Sequence, residues 1–467
     1  MSSPLGCAKA GGGFVSPGPS WCRWRVLGCD DLLFGLDDID WAALGHAYGN
    51  AADVPGLLRV ACGADKKARE DAFRSLFGNI FHQGTRYSSS PYAVPFIVRI
   101  AVDGPPSARV DALWLLTRLA VDWHDAYDLP LGIDTAAWRA AAVPHETRLR
   151  WYEEQLAAET DERRREGLSE MRDYAAAGHP IDSREGALRS YDAVRAELPR
   201  LRPLLDDPDP KVRTRSAYLL AWFPEEATES LPLLVRRVAV ERDLKTAATV
   251  LLSVGLLGNP GQAELLVPGL DAEHPLIRWA AATALARLFL LPSESRLVDG
   301  RLLERVLAEL VAASAAPVPE PGTDHDSDDL HRYTSRTLFT LRGLAPDDGR
   351  LLTGVAHCLR FIDILALNDL APSLLRTEFK PVGDGEGAVA FEDLAPALQG
   401  VLHAVAERIP GDWYDNWLTG SKLRDALAAL GLPDTAPALR AYAGLPIEEP
   451  ASGDLYRRPG RQKGGGD

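Results

Sequence analysis

One spacing recurs along this chain and restricts what it can fold into. Fourteen residues after Pro55 stands Arg69, and seven further on stands Leu76; Pro95, Arg109 and Leu116 repeat both offsets, and Pro199, Arg213 and Leu220 repeat them again. The residue three after each arginine is small: Ala72, Ala112 and Ser216. Looser copies follow at 32 and then 33 residues, as Lys245 with Ala248 and Leu252, and Arg278 with Ala281 and Leu285. A pattern returning at such a period marks one supersecondary unit used repeatedly.

The apolar residues around these markers have helical spacing. Val54, Leu57, Leu58 and Ala61 occupy one i, i+3, i+4, i+7 face, and Val94, Ile97, Val98 and Ala101 occupy another. Pro55 and Pro95 read as first-turn prolines, where the missing N–H has no intrahelical acceptor to lose. Each unit is then a helix, a polar turn such as Asp206-Asp207-Pro208-Asp209-Pro210, and a second helix. The small residue lets that second helix pack closely, and the leucine returns to the same face two turns on. A helix pair this small cannot bury its own apolar faces, so each must stack on the next. The expected fold is all-α, an α-solenoid of stacked antiparallel helix pairs with essentially no sheet.

Breaks in composition divide the chain. Residues 1–36 hold Gly11-Gly12-Gly13 and Ser16-Pro17-Gly18-Pro19 without apolar periodicity and read as a disordered extension. Residues 37–316 carry the repeats. Within them, 117–198 departs from the pattern and reads as one or two degenerate helical repeats. Residues 317–329, from Pro317 through Asp324-His325-Asp326-Ser327-Asp328-Asp329, form an acidic loop. Residues 330–445 continue the helical array, and 446–467 are a polar, disordered tail.

At Leu231-Pro232-Leu233-Leu234 and Asp207-Pro208-Asp209-Pro210-Lys211-Val212-Arg213 the sequence resembles HEAT repeats, the armadillo-like helical class, including the bacterial branch called phycobilisome-lyase HEAT-like. The resemblance covers 53–123 and 187–291. It implies that Pro199, Asp207 and Arg213 hold the array together and do not touch a ligand. Lys245 departs from the pattern, which prefers arginine there. HEAT arrays share a fold while binding unrelated partners, so the resemblance implies a scaffold without naming what it holds.

Charge and cysteine usage narrow the function. Lys and Arg total 51 against 66 Asp and Glu, a net charge of -15, with a pI near 5.2. Wrapping nucleic acid needs a basic surface, so the balance argues against it. Cys7, Cys22, Cys29, Cys62 and Cys358 show no metal-ligand spacing and read as reduced thiols, which with the lack of a long apolar run points to the cytoplasm. The expectation is a non-enzymatic scaffold or adaptor for protein partners, without cofactor or metal. A narrower version is an immunity-type protein neutralising a basic toxin. The enzyme alternative is a HEAT-like lyase or a nucleic-acid glycosylase.

Candidate chemistry is sparse. There is no G-x-S-x-G elbow. Gly255, Gly258 and Gly261 lack the strand and the Lys-Ser/Thr of a phosphate loop and read as a helix stop. His325, Asp326, Asp328, Asp329 and His331 could be drawn as a metal site, but they follow a proline-rich stretch and read as a solvated loop. The binding candidates lie after the second helices. His82, Arg86 and Tyr87 follow the one that carries Arg69, and Trp123, His124 and Tyr127 follow the one that carries Arg109, so both segments should share one edge. Tyr, Trp and Arg most often carry binding energy. Trp413, Tyr414 and Trp417, set among Gly411-Asp412 and Asp415-Asn416, form a second candidate.

Overall fold

The computed structural model describes residues 28–122, 129–177, 179, 183–291, 299–316, 330–379, 389–409 and 417–447. Their regular structure is helical apart from two hairpins with strands of two residues each. The chain opens with α1 (Cys29–Leu32), α2 (Val54–Ala61), α3 (Lys66–Ile80), α4 (Ser90–Asp103) and α5 (Pro106–Val121). Next come α6 (Thr135–Ala141), α7 (His145–Ala158), α8 (Glu162–Ala176), α9 (Ser183–Ala196) and α10 (Leu198–Leu201). The central helices are α11 (Pro210–Leu220), α12 (Ala227–Val240), α13 (Leu244–Leu257), α14 (Ala263–Leu266) and α15 (Pro275–Leu290). The remainder are α16 (Gly300–Ala315), α17 (Leu330–Leu341), α18 (Gly349–Leu359), α19 (Ile364–Glu378), α20 (Pro396–Arg408), α21 (Trp417–Ala429) and α22 (Ala436–Tyr442).

The helices that carry the repeated arginine lie side by side: α3 packs on α5, α5 on α11, α11 on α13, and α13 on α15. The small residues Ala72, Ala112, Ser216, Ala248 and Ala281 are all buried at these contacts, as are Leu76, Leu116, Leu220, Leu252 and Leu285. Between α13 and α15 the approach is closer than a side chain permits. A Cβ on Gly255 would lie 2.7 Å from the Ala284 Cα. Gly255 is therefore a packing residue inside a helix, whereas the sequence suggested a helix stop; Gly258 is the cap. A single apolar core runs from Leu32 to Ala443.

The repeated arginine closes the same turn in three units. Arg69 Nη1 donates to the Gly63 carbonyl at 2.9 Å and the Ala64 carbonyl at 3.4 Å. Arg213 repeats this on Asp207 and Pro208 at 2.8 and 3.1 Å, and Arg278 on Ala272 and Glu273 at 3.0 and 2.8 Å. The rest of each guanidinium reaches a later element: Ser107 from Arg69, Glu241 from Arg213, Glu309 from Arg278. Arg109 differs. Its Nη2 donates to the buried Asp207 carboxylate at 2.6 Å, tying α5 to the turn before α11.

Three further sequence expectations change. Packed structure begins before residue 37, because α1 and the turn after it bury Leu32, Leu33 and Leu36 beside Trp41; this short apolar group lacks a helical period to announce it. Pro95 lies inside α4, which starts at Ser90 with Pro91 in its first turn, so the first-turn reading holds for Pro55 but not for Pro95. The 117–198 interval is helical in its described residues. It contains α6, the mostly exposed α7–α8 hairpin, and then α9, which packs on α4 and α5 as the leading helix before α11. Cys29 and Cys62 are paired as a disulfide, with Cα atoms 5.8 Å apart, so the thiols are not all isolated. The hairpins β1–β2 (Gly45–His46 with Gly49–Asn50) and β3–β4 (Phe81–His82 with Thr85–Arg86) are the strands among the described residues, so the expectation of an all-α chain with essentially no sheet holds. Residues 1–27, the 317–329 loop and 448–467 lie outside the described residues.

No helix among the described residues is long and apolar enough to cross a membrane.

Candidate functional site

The two hairpins sit at one edge, where α3 ends and where α2 and α4 begin. The β3–β4 turn is built by Gln83 and Gly84, both with positive φ (48° and 88°), as a tight two-residue hairpin requires. The first hairpin rests on the second: the Gly45 N–H donates to Ser88 Oγ at 2.8 Å, Ser89 donates back to the Gly45 carbonyl, and the Ala47 N–H reaches the Asn79 carbonyl at 3.0 Å. His46 Nε2 lies 2.8 Å from the Asp53 carboxylate, which Asn79 also approaches at 2.8 Å. These contacts fix the outer rings. Tyr48, 70% exposed, meets His82 edge-on at 5.4 Å between centroids, and its hydroxyl lies 3.4 Å from His82 Nδ1.

Farther along the edge, Ser88 Oγ contacts His179 Nδ1 at 2.6 Å, and the His179 ring stacks on Tyr174 of α8 at 4.3 Å. The end of the α7–α8 hairpin is thereby joined to the β-hairpins. Tyr87 is half-buried beside this group. Its phenol is pushed up by burial and by the nearby Tyr174 and Tyr48 hydroxyls.

The other side of β3–β4 borders a cleft of about 500 Å³. Gly84, Arg86 and Asp122 line it from the hairpin and the end of α5, Ala137, Trp138 and Ala141 from α6, and Arg184, Ala187 and Leu188 from α9. Helical spacing accounts for the walls: 137, 138 and 141 form one stripe, and 184, 187 and 188 another. Asp134 caps α6 by accepting from the Ala137 N–H at 2.9 Å, and Arg139 fastens it to Asp192 and Glu225. The Trp138 ring meets Tyr191 edge-on at 6.0 Å.

Asp122 has φ 58° and ψ -124°, an unusual conformation for a residue other than glycine, at a typical cost of about 1–3 kcal/mol. Its carboxylate lies so close to Gly84 that a Cβ there would approach Oδ2 to 2.7 Å. Arg86 is buried. Its Nη1 donates to the Gly84 carbonyl at 2.8 Å and its Nη2 to the Ala120 carbonyl at 3.2 Å, while Asp122 Oδ2 stands 3.6 Å from Nη1. Burial pulls the Arg86 guanidinium down to about 10, with Asp122 opposing only part of that shift.

The structure thus brings the end of α3 and the end of α5 together, through Arg86, Asp122 and Ala120. Of the residues expected there, His82 and Tyr87 lie at the edge. Arg86 lies inside, where it can line a cleft but cannot join an exposed patch, because its guanidinium satisfies carbonyls of the hairpin and of α5. Phe81 is fully buried and closes the core. Trp123, His124, Tyr127, Trp413 and Tyr414 fall outside the described residues; Trp417 is the first residue of α21, which packs on α19. His331 from the acidic-loop reading is a buried ring stacked on Phe361 and bonded to the Ala316 carbonyl. Sequence reasoning missed Trp138 and Arg184. Both lie in the non-repeating interval, where no pattern singles them out.

No family model matches the chain, and no curated protein matches it.

Proposed function

We propose that this chain is a HEAT-like α-solenoid that serves as a non-enzymatic scaffold, holding a partner protein along the edge that carries the two β-hairpins. The observation that carries the reading is the recurring guanidinium. Arg69, Arg213 and Arg278 each close the preceding turn through two backbone carbonyls and pass the remaining donors onward. Such a bond set keeps successive helix pairs in register, which is what a stacked array needs and an ordinary globular core does not. The continuous core from Leu32 to Ala443 supports the same reading.

The hairpin edge is where a partner fits. Tyr48 is a large ring held out of the core by a short, braced hairpin, and His82 supports it from the side. A rigid aromatic presented this way orders little on binding and can carry much of the energy. The net charge of -15 favours a basic partner, which agrees with the narrower immunity-type version. The test is affinity purification with mass spectrometry, comparing the natural chain with a Tyr48→Ala/His82→Ala variant of equal helical content. The reading expects a protein captured by the first and lost from the second. Identical captured sets would count against it.

A further inference from the structure

We propose that the cleft between the β3–β4 hairpin, α6 and α9 is a binding site for a carboxylate carried on a small apolar or aromatic body. Its volume, about 500 Å³, lies in the range of small-ligand pockets. Among the described residues its walls are apolar and mostly small: Ala137, Ala141, Ala187 and Leu188, with the Trp138 indole as the one large surface. Among the described lining residues charge enters only at the floor and the mouth.

The floor holds Arg86 and Asp122, and the mouth holds Arg184. Arg86 is 2% exposed, and its Nε has no hydrogen-bond partner among the described residues. Asp122 stands at 3.6 Å from the guanidinium, outside hydrogen-bonding range, so the pair is electrostatic and loose. Burial outweighs Asp122 in its effect on Arg86, which means the guanidinium is short of compensating negative charge. Arg184 is exposed and has no ion-pair partner among the described residues. Among the described lining residues, two arginines against one aspartate leave a surplus of one positive charge facing an otherwise apolar space. A single carboxylate neutralises that surplus, whereas an ammonium would add to it. A neutral ligand would leave the charge uncompensated as water is displaced.

Asp122 supplies the third argument. A non-glycine residue with φ 58° is strained, and such strain concentrates at functional sites. Here it turns the carboxylate against Gly84 and away from full engagement with Arg86. The carboxylate ligand could be a free small acid, or the C-terminus or acidic side chain of a protein. The inference goes beyond the scaffold reading, since a free acid would satisfy it while leaving that reading without support.

Calorimetric titration of the full chain decides it, with benzoate, benzamide and benzylamine as probes beside acetyl-Ala-Leu with a free or an amidated C-terminus. The expected result is one-to-one binding of a carboxylate probe, with its amide weaker by about tenfold or more, because a hydrogen bond to a charged group is lost. Arg184→Ala should weaken the carboxylate about tenfold, and Ala141→Phe, which fills the cleft from a solvent-facing position, should abolish binding while helical content stays unchanged. Tighter binding of the peptide than of benzoate assigns the site to a protein terminus; binding of benzoate alone assigns it to a free acid. The proposal is overturned if acid and amide bind alike, if binding survives Ala141→Phe, or if no carboxylate probe binds the natural chain.

Discussion

Replacing Arg109 by methionine should unfold the junction between α5 and α11 while leaving the α13–α15 contact intact. The side chains of Arg109 and Asp207 are 10% and 0% exposed, and 2.6 Å separates Nη2 from Oδ2. Without the guanidinium, the Asp207 carboxylate keeps the Asp209 N–H, at 2.9 Å, as its nearest donor. Breaking a buried pair from one side costs about 3–5 kcal/mol, because a buried charge is left uncompensated. Replacing both partners by apolar residues of similar size removes that penalty. Arg109→Met/Asp207→Leu should therefore be more stable than either single variant, with a coupling energy of about 2–4 kcal/mol. A helical chain of this length need not unfold in a single step. The readout is accordingly hydrogen exchange across α5 and α11, supported by urea denaturation followed by circular dichroism. Single variants within about 1 kcal/mol of the natural chain, or a double variant whose loss equals the sum of the two, would refute the reasoning that this pair bridges the 122–206 interval.

Gly255→Val should destabilise the α13–α15 contact by about 1–3 kcal/mol, the usual cost of overpacking, seen as faster hydrogen exchange in both helices. Burial pushes the Glu241 carboxyl up, but Arg213 and the N–H groups of Asp243 and Arg242 more than offset this and hold it at about 2, below its ordinary 4.5. That stabilisation is complete above pH 4.5 and is lost as pH falls from there through about 2, so Glu241→Gln should flatten the acid limb of the stability curve measured by thermal melts. A Cys29–Cys62 cross-link closes a loop spanning 33 positions and should add about 4 kcal/mol in the chain-entropy account. Non-reducing peptide mapping should find the linked pair, and Cys29→Ser should lower the melting temperature under oxidising conditions but leave it unchanged in reductant.

The helix pairs were legible because their markers obey backbone periods. The leucine seven residues after each arginine returns to the same face, and the structure buries Leu76, Leu116, Leu220, Leu252 and Leu285 alike. The arginine offset worked in three units for the same reason, since Arg69, Arg213 and Arg278 each donate to the backbone carbonyls six and five residues before them. The side-chain acceptor shows the limit: Glu241, preceding α13, receives both Arg213 and Arg237, and no offset singles it out. The edge was half legible. His82 and Tyr87 follow a helix whose end could be placed, so their location could be read, but whether Arg86 faced outward depended on a hairpin of two-residue strands that no alternation betrays. The cleft was not legible. It forms where Asp122 in an unusual conformation meets α6 and α9, and those contacts join residues far apart in a stretch without a repeat.

The most direct test of the account places a photo-crosslinking residue at Tyr48 on the hairpin edge and, in a second variant, at Val240, which is 56% exposed at the C-terminal end of α12 and belongs to neither hairpin. Irradiation in a lysate of the source cells, followed by mass spectrometry, should give a defined protein adduct from position 48 that is absent from position 240. Adducts from 240 with none from 48 would contradict the assignment of the hairpin edge as the surface that holds a partner.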